Sequence, residues 1–197
     1  MSKYFNRSRQ EVVGDRGEVL ISILLARYLN TNKMYAATID NYRFRTSYGS
    51  CEIDQLLICE KGIFVIEVKN WVGTVYGSID SETWTHVYPK AGHLEKKTGP
   101  NPVIQNRTHV NQLRKLFNKD YPIYSVVVFI KTRVRSLGIP NVIHVNEFIP
   151  YLDHINPTGP KLSKLDIDCI VGVLSAYRKI DNVSAKEHIR NVQKLHK

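Results

Sequence analysis

The spacing of apolar residues changes period along this chain, and each change marks an element. Residues 15–29 (DRGEVLISILLARYL) are apolar around most of a helical circumference. They predict a largely buried helix, with Asp15 placed to cap its start and Asn30-Thr31-Asn32 to end it. Residues 35–46 read as a strand and Ser47-Tyr48-Gly49-Ser50 as a turn. Strands follow near residues 52–59 and 63–69, joined at Glu60-Lys61-Gly62. The second (GIFVIEV) is an almost unbroken apolar run, the mark of a strand covered on both faces.

Beyond it, residues 72–88 suggest a β-ribbon that turns at Gly73, Gly77 and Asp80-Ser81 and is anchored by Trp84. Residues 89–102 are polar and basic and contain Gly and Pro, which predicts an exposed, mobile loop. A helix over 102–118, a buried strand over 124–130 (YSVVVFI), a short strand over 142–145 and helices near 146–154 and 163–179 complete the pattern. This order predicts an α/β fold, with a central mixed β-sheet flanked by helices and an inserted ribbon. The 197 residues suit a single domain. Its motif-bearing core covers about 14–118, and residues 119–197 complete the sheet and add C-terminal helices.

Composition narrows the function. Lys and Arg number 28 against 18 Asp and Glu, a formal charge of +10. Such a surplus favours a polyanionic partner, because neutralised phosphates release condensed counterions; an anionic membrane surface is the competing reading. No apolar run is long enough to span a bilayer, and residues 1–10 do not resemble a secretory signal. Cys51, Cys59 and Cys169 form no C-x-x-C pair, so the chain reads as cytoplasmic. The sequons at Asn6, Asn106 and Asn182 are then accidental.

Chemistry enters at Glu67-Val68-Lys69. In a strand, residues i and i+2 share a face, so Glu67 and Lys69 project together. A two-residue loop at Glu60-Lys61 would pair Cys59 with Gly62 and set Asp54 opposite Glu67. A loop at Lys61-Gly62 would keep the parity and set Asp54 opposite Lys69. A three-residue loop with a bulge at Gly62 would break that parity. Two carboxylates and an ammonium at the end of a buried strand need compensation. The plainer reading is a rim salt bridge. The functional one is a divalent-metal centre, in which hard oxygen ligands hold Mg²⁺ or Mn²⁺ and a substrate phosphate fills the open positions. Lys69 would then orient the attacking water or offset charge on phosphorus.

These residues sit in an ordered series: Gly14-x-x-Gly17-Glu18, Glu52-Ile53-Asp54, residues 62–70 (GIFVIEVKN), Gly73-x-Val75-x-Gly77, Trp84 and Asn101-Pro102-x-x-Gln105. The series resembles the nuclease-related domain (NERD) family of the PD-(D/E)xK restriction-endonuclease-like superfamily, over about residues 14–118. The resemblance implies a restriction-endonuclease-like core with Asp54 and Glu67 as metal ligands and Lys69 as catalytic lysine. It also implies site roles for Glu18 on the first helix and Gln105 on the helix after the ribbon, with Gly14 and Gly17 letting that first helix approach the sheet. The bland alternatives are a helix-start acid for Glu18 and a helix-surface amide for Gln105. Asn101-Pro102 reads as an N-cap with proline at the first helical position, and Trp84 as core. Glu52 departs from the glutamine often found there in the family. It either adds an acid near the metal or pairs with a basic residue.

A metal-dependent nuclease acting on DNA is therefore expected. The alternative is a non-catalytic nucleic-acid-binding or recruitment module on the same fold. Lys96, Lys97, Arg107, Lys131, Arg133 and Arg135 are candidates to track a phosphate backbone. A homodimer stays open, as does a helicase or other DNA-processing partner. A His93–Asn101–His109 site is disfavoured because Pro100 and Pro102 flank the asparagine, which leaves His109 as a helix residue facing solvent or phosphate. Walker A, GxSxG, HExxH and CxxC motifs are missing, so those chemistries lack support.

Overall fold

A computed structural model describes residues 9–181, apart from Tyr48, Arg133, Arg135, Ser136, Asn156 and Pro157. The chain runs as α1 (Arg9–Asn32), β1 (Ala36–Thr46), β2 (Gly49–Cys59), β3 (Gly62–Lys69), β4 (Thr74–Tyr76), β5 (Thr83–Lys90) and β6 (His93–Pro100). It continues through α2 (Pro102–Arg114), β7 (Ile123–Phe129), β8 (Val142–His144), a 3₁₀ turn, α3 (Phe148–His154) and α4 (Lys164–Asp181). Five strands form a mixed sheet in the order β1-β2-β3-β7-β8, and β4-β5-β6 form a second, three-stranded sheet. The expected α/β architecture is borne out.

Strand β3 lies at the centre of the large sheet, antiparallel to β2 and parallel to β7. Both its faces are covered, which is why its sequence is apolar without alternation. On one face Ile21, Leu25 and Tyr28 of α1 pack with Leu57, Phe64, Ile66, Val126 and Val128. On the other, Val110 and Leu113 of α2 and Ile167, Ile170 and Leu174 of α4 pack with Leu56, Ile58, Ile63 and Val65. The ribbon closes the same side further along, where Val75 and Trp84 meet Val103, Val127 and Phe129. Each fully buried aliphatic side chain is worth roughly 1.5–3 kcal/mol, so these layers fix the sheet against its helices.

Three expectations change. Residues 89–102 are not a mobile loop. Residues 93–100 form β6, paired with β5 from Thr83↔Pro100 to Lys90↔His93. Ala91 and Gly92, with φ of 48° and 83°, make the two-residue turn that this hairpin needs. The strand escaped notice because it is a polar, lysine-bearing edge, a composition that keeps an exposed edge from pairing with other chains. Helix α1 begins at Arg9, so Gly14 and Asp15 lie inside it rather than at its start. That helix is also less buried than its composition suggested, since Val19 is 57% and Ile23 44% exposed. Helix α2 stops at Arg114, four residues short of expectation.

Candidate active site

The β2–β3 turn takes the two-residue form, with Cys59 paired to Gly62 and the ladder running to Gln55↔Ile66. One step further, Asp54 and Glu67 come opposite each other, but the backbone ladder has ended. There the Asp54 carboxylate takes its place, and its Oδ2 accepts the Val68 amide at 2.8 Å. The sheet thus opens where the polar residues begin.

Glu67 is 2% exposed. Its Oε1 accepts from Lys69 Nζ at 2.5 Å, and the same ammonium donates to Gln105 Oε1 at 3.1 Å. Its Oε2 is buried without a hydrogen-bond partner. His109 Nδ1 lies 3.5 Å from that oxygen. Gln105 and His109 are four residues apart on α2 and therefore share the helix face laid against β3. On the other side of the sheet, α1 approaches closely at Gly17, where a Cβ would lie 3.2 Å from Ile130 Cγ1 and 3.3 Å from Val68 Cγ1. That approach brings Glu18, the next residue, within electrostatic reach of Asp54 and Lys69.

The charges are strained against one another. Burial, then repulsion from Glu67 and Glu18, holds Asp54 well above the ordinary carboxylate range despite the Val68 amide and Lys69. Burial alone would lower Lys69, but attraction and hydrogen bonding from Glu67, with help from Asp54 and Glu18, outweigh it and raise its pKa. Lys69 is therefore a fixed cation rather than a proton acceptor. Carboxylates crowded around one ammonium are oxygen donors of the kind that could hold a hard divalent ion. Among the described residues, no group of three or more His, Cys, Asp and Glu is arranged to hold a metal by itself. Asp54 and Glu67 would accordingly supply a partial set, the usual protein share for Mg²⁺ beside a substrate phosphate.

The structure thus gathers Asp54, Glu67, Lys69 and Gln105, with Glu18 nearby. The plain helix-surface reading of Gln105 is excluded by its bond to Lys69. His109 is the residue whose placement sequence reasoning missed, and its i+4 spacing from Gln105 was the available signal. Glu52 stays outside, paired with Arg43 on β1. Lys96 and Lys97 are exposed on β6, Arg107 is exposed on α2, and Lys131 is exposed just after β7. Arg133 and Arg135 lie outside the described residues.

Asn101 is a structural cap. Its side chain accepts from the Val103 amide at 2.9 Å and reaches the carbonyls of Ser78, Ile79 and Ser81. This commitment leaves it no part in a His-Asn-His site. Asn106, of the sequon, is fully buried and ties β3 to β7 through the carbonyls of Val65 and Val126.

The family model of the nuclease-related domain (NERD) matches residues 13–130, more than half of the chain. The chain belongs to the NERD family. Its matched region contains Glu18, Asp54, Glu67, Lys69, Gln105 and His109. An uncharacterized protein of Bacillus anthracis is 33% identical over 118 residues, covering 59% of this chain and 52% of the relative. The chain thus spans about half the length of that relative. No solved structure gives a significant match. Among the described residues, no helix is long and apolar enough to cross a membrane.

Proposed function

We propose that this NERD-family chain is a Mg²⁺- or Mn²⁺-dependent phosphodiesterase of the PD-(D/E)xK type, cleaving DNA in the cytoplasm. The observation that carries the reading is Glu67. It is a carboxylate 2% exposed, with one oxygen on Lys69 and the other buried without a hydrogen bond 3.5 Å from His109 Nδ1, one step beyond the ladder from Asp54. A lone lysine–glutamate pair does not account for Asp54 and Glu18 drawn to the same ammonium, because burying several carboxylates together is costly unless a further cation offsets it.

Asp54 and Glu67 would hold the ion. When bound, the ion polarises a phosphoryl oxygen and lowers the pKa of a water. Asp54 would serve in its ionised form, which a bound cation would favour over the protonated form that burial and Glu67 favour. Lys69 then holds a positive charge beside the oxygens on which negative charge grows as the water attacks phosphorus and the P–O bond to the leaving alcohol breaks. Gln105 fixes the direction of the Lys69 ammonium. Glu18 adds negative charge from α1 that favours both the cation and the ammonium. Exposed Lys96, Lys97, Arg107 and Lys131 would meet the phosphate backbone outside the site.

The test is cleavage of linear, circular and single-stranded DNA with Mn²⁺, Mg²⁺ or EDTA, beside Asp54→Ala and Lys69→Ala variants. Metal-dependent products that vanish in both variants support the reading. Metal-independent binding with no cleavage of any substrate would replace it with a binding or recruitment module.

A further inference from the structure

Strand β3 ends at Lys69, and two residues on the chain lays down an aromatic step. Trp71 stacks on His86 of β5, with ring centroids 5.0 Å apart and planes within 17°. His86 stacks in turn on Tyr88, at 5.1 Å and 22°. The stack is held firmly at its base. Trp71 meets Phe129 edge-on at 5.7 Å, and His86 Nδ1 lies 3.0 Å from the Val72 carbonyl. A Cβ on Gly99 would stand 3.3 Å from the Trp71 ring, so β6 packs directly against it.

The ribbon does not need this stack for its anchor. Trp84, fully buried against Phe129, already supplies that. Trp71 and Tyr88 instead stay partly exposed, with His86 between them. Cross-strand partners share a face of a sheet, so the register sets Lys97 beside His86 and the Lys90–His93 pair one step beyond Tyr88. Glu95, opposite Tyr88, is neutralised by Lys90 Nζ at 2.5 Å. The result is a stack of three rings leading away from Lys69, which leaves the outer face of Tyr88 uncovered by the stack, with Lys97 beside His86 and the Lys90–Glu95 pair beside Tyr88.

We propose that Trp71, His86 and Tyr88 form a stacking platform for an unpaired nucleic-acid strand, with Lys97 as its phosphate contact. This rests on the phosphodiesterase reading and gives it a substrate class. A duplex keeps its base faces stacked on one another, whereas an unpaired strand can lay a base on Tyr88 and a phosphate beside Lys97 at the same time. The strand would run from the Asp54–Glu67–Lys69 cluster along the ribbon.

The test uses the full chain in EDTA, so that nothing is hydrolysed. A labelled oligothymidylate and a blunt DNA duplex are titrated by fluorescence anisotropy. The single strand is expected to bind the more tightly. Tyr88→Ala should weaken single-strand binding ~5- to 150-fold and leave duplex binding unchanged, from a stacking contribution of roughly 1–3 kcal/mol per base. Tyr88→Phe, which keeps the ring, should restore it. Unlabelled oligothymidylate should also quench the wild-type tryptophan emission, and Trp71→Phe should remove that quench, since Trp84 is fully buried.

Equal affinity for single strand and duplex in the wild type, with no quench, overturns the proposal. So does a Tyr88→Ala variant that weakens both ligands alike or neither. Should Tyr88→Ala unfold, the wild-type quench decides. Metal-dependent cleavage without strand preference would sink the platform and leave the active site standing. Strand-selective quenching without cleavage would do the reverse.

Discussion

Two buried polar clusters touch helix α2 within one short stretch, and they differ in whether their atoms are satisfied. At its start, Asn101 is 1% exposed, yet its amide reaches three carbonyls and its oxygen takes the Val103 amide. One turn along, the Gln105 and His109 face meets Glu67, 2% exposed, whose Oε2 has no hydrogen bond. A satisfied cluster stabilises a fold, because every desolvated group recovers a partner. A buried polar atom without a hydrogen bond costs stability instead. Asn101 locks the ribbon to the helix. Glu67 keeps one buried oxygen without a hydrogen bond.

The largest expected effect breaks the second cluster. Lys69→Ala should lower metal-dependent cleavage by ~10²–10³-fold, the range seen when one charge-stabilising donor is removed from a site. Its melting temperature should fall as well, because removing the ammonium leaves the buried Glu67 carboxylate uncompensated. Cleavage is therefore compared well below the variant's melting point, and activity retained there would make Lys69 structural. Asn101→Ala should behave in the opposite way. It strips the helix cap and orphans buried carbonyls, for a destabilisation of about 2–3 kcal/mol by denaturant unfolding. Cleavage below the melting point should survive it.

The same contrast appears in two aspartates whose pKa values move in opposite directions. Asp54 is raised in the folded chain, so the native state holds its proton more tightly than the unfolded one. Metal-free stability should therefore be greatest near and below pH 3.8 as far as this group is concerned. It should decline as pH rises from 3.8 towards the raised value. Asp54→Asn should flatten that limb of a melting-temperature profile. A wild-type profile already flat there would remove the repulsion on which the site depends.

Asp166 is the satisfied counterpart and carries the smallest effect. The Lys119 ammonium, 2.7 Å away, and then the Ser163 hydroxyl and amide pull its pKa down to about 2. Its contribution is present above pH 3.8 and is lost as pH falls towards 2. Asp166→Asn should lower the melting temperature slightly at neutral pH. The variant and the wild type should converge in acid.

How far the chain announced these clusters depends on what each residue type reveals alone. The GIFVIEV run could be read directly, since only a doubly covered strand tolerates such continuity. The two-residue turn at Glu60-Lys61 then fixed the Asp54–Glu67 parity, and the structure has that turn. Strand β6 was hidden because a lysine-rich edge strand looks like a loop until β5 is set beside it. His109 was hidden for another reason. Its spacing from Gln105 acquires meaning only once α2 lies on β3, and a sequence does not show which helix face meets the sheet. The start of α1 was missed because residues 9–14 hold neither a break nor an apolar stripe to mark it.

The most direct test of the central claim is a calorimetric titration of Mn²⁺ into wild type and Glu67→Gln, repeated at lower pH. The expected result is saturable binding to wild type that weakens as pH falls, because Asp54 and Glu67 bind a cation only when ionised, and loss of that binding in Glu67→Gln. Binding that survives Glu67→Gln unchanged, or no Mn²⁺ binding to the wild type, would contradict it.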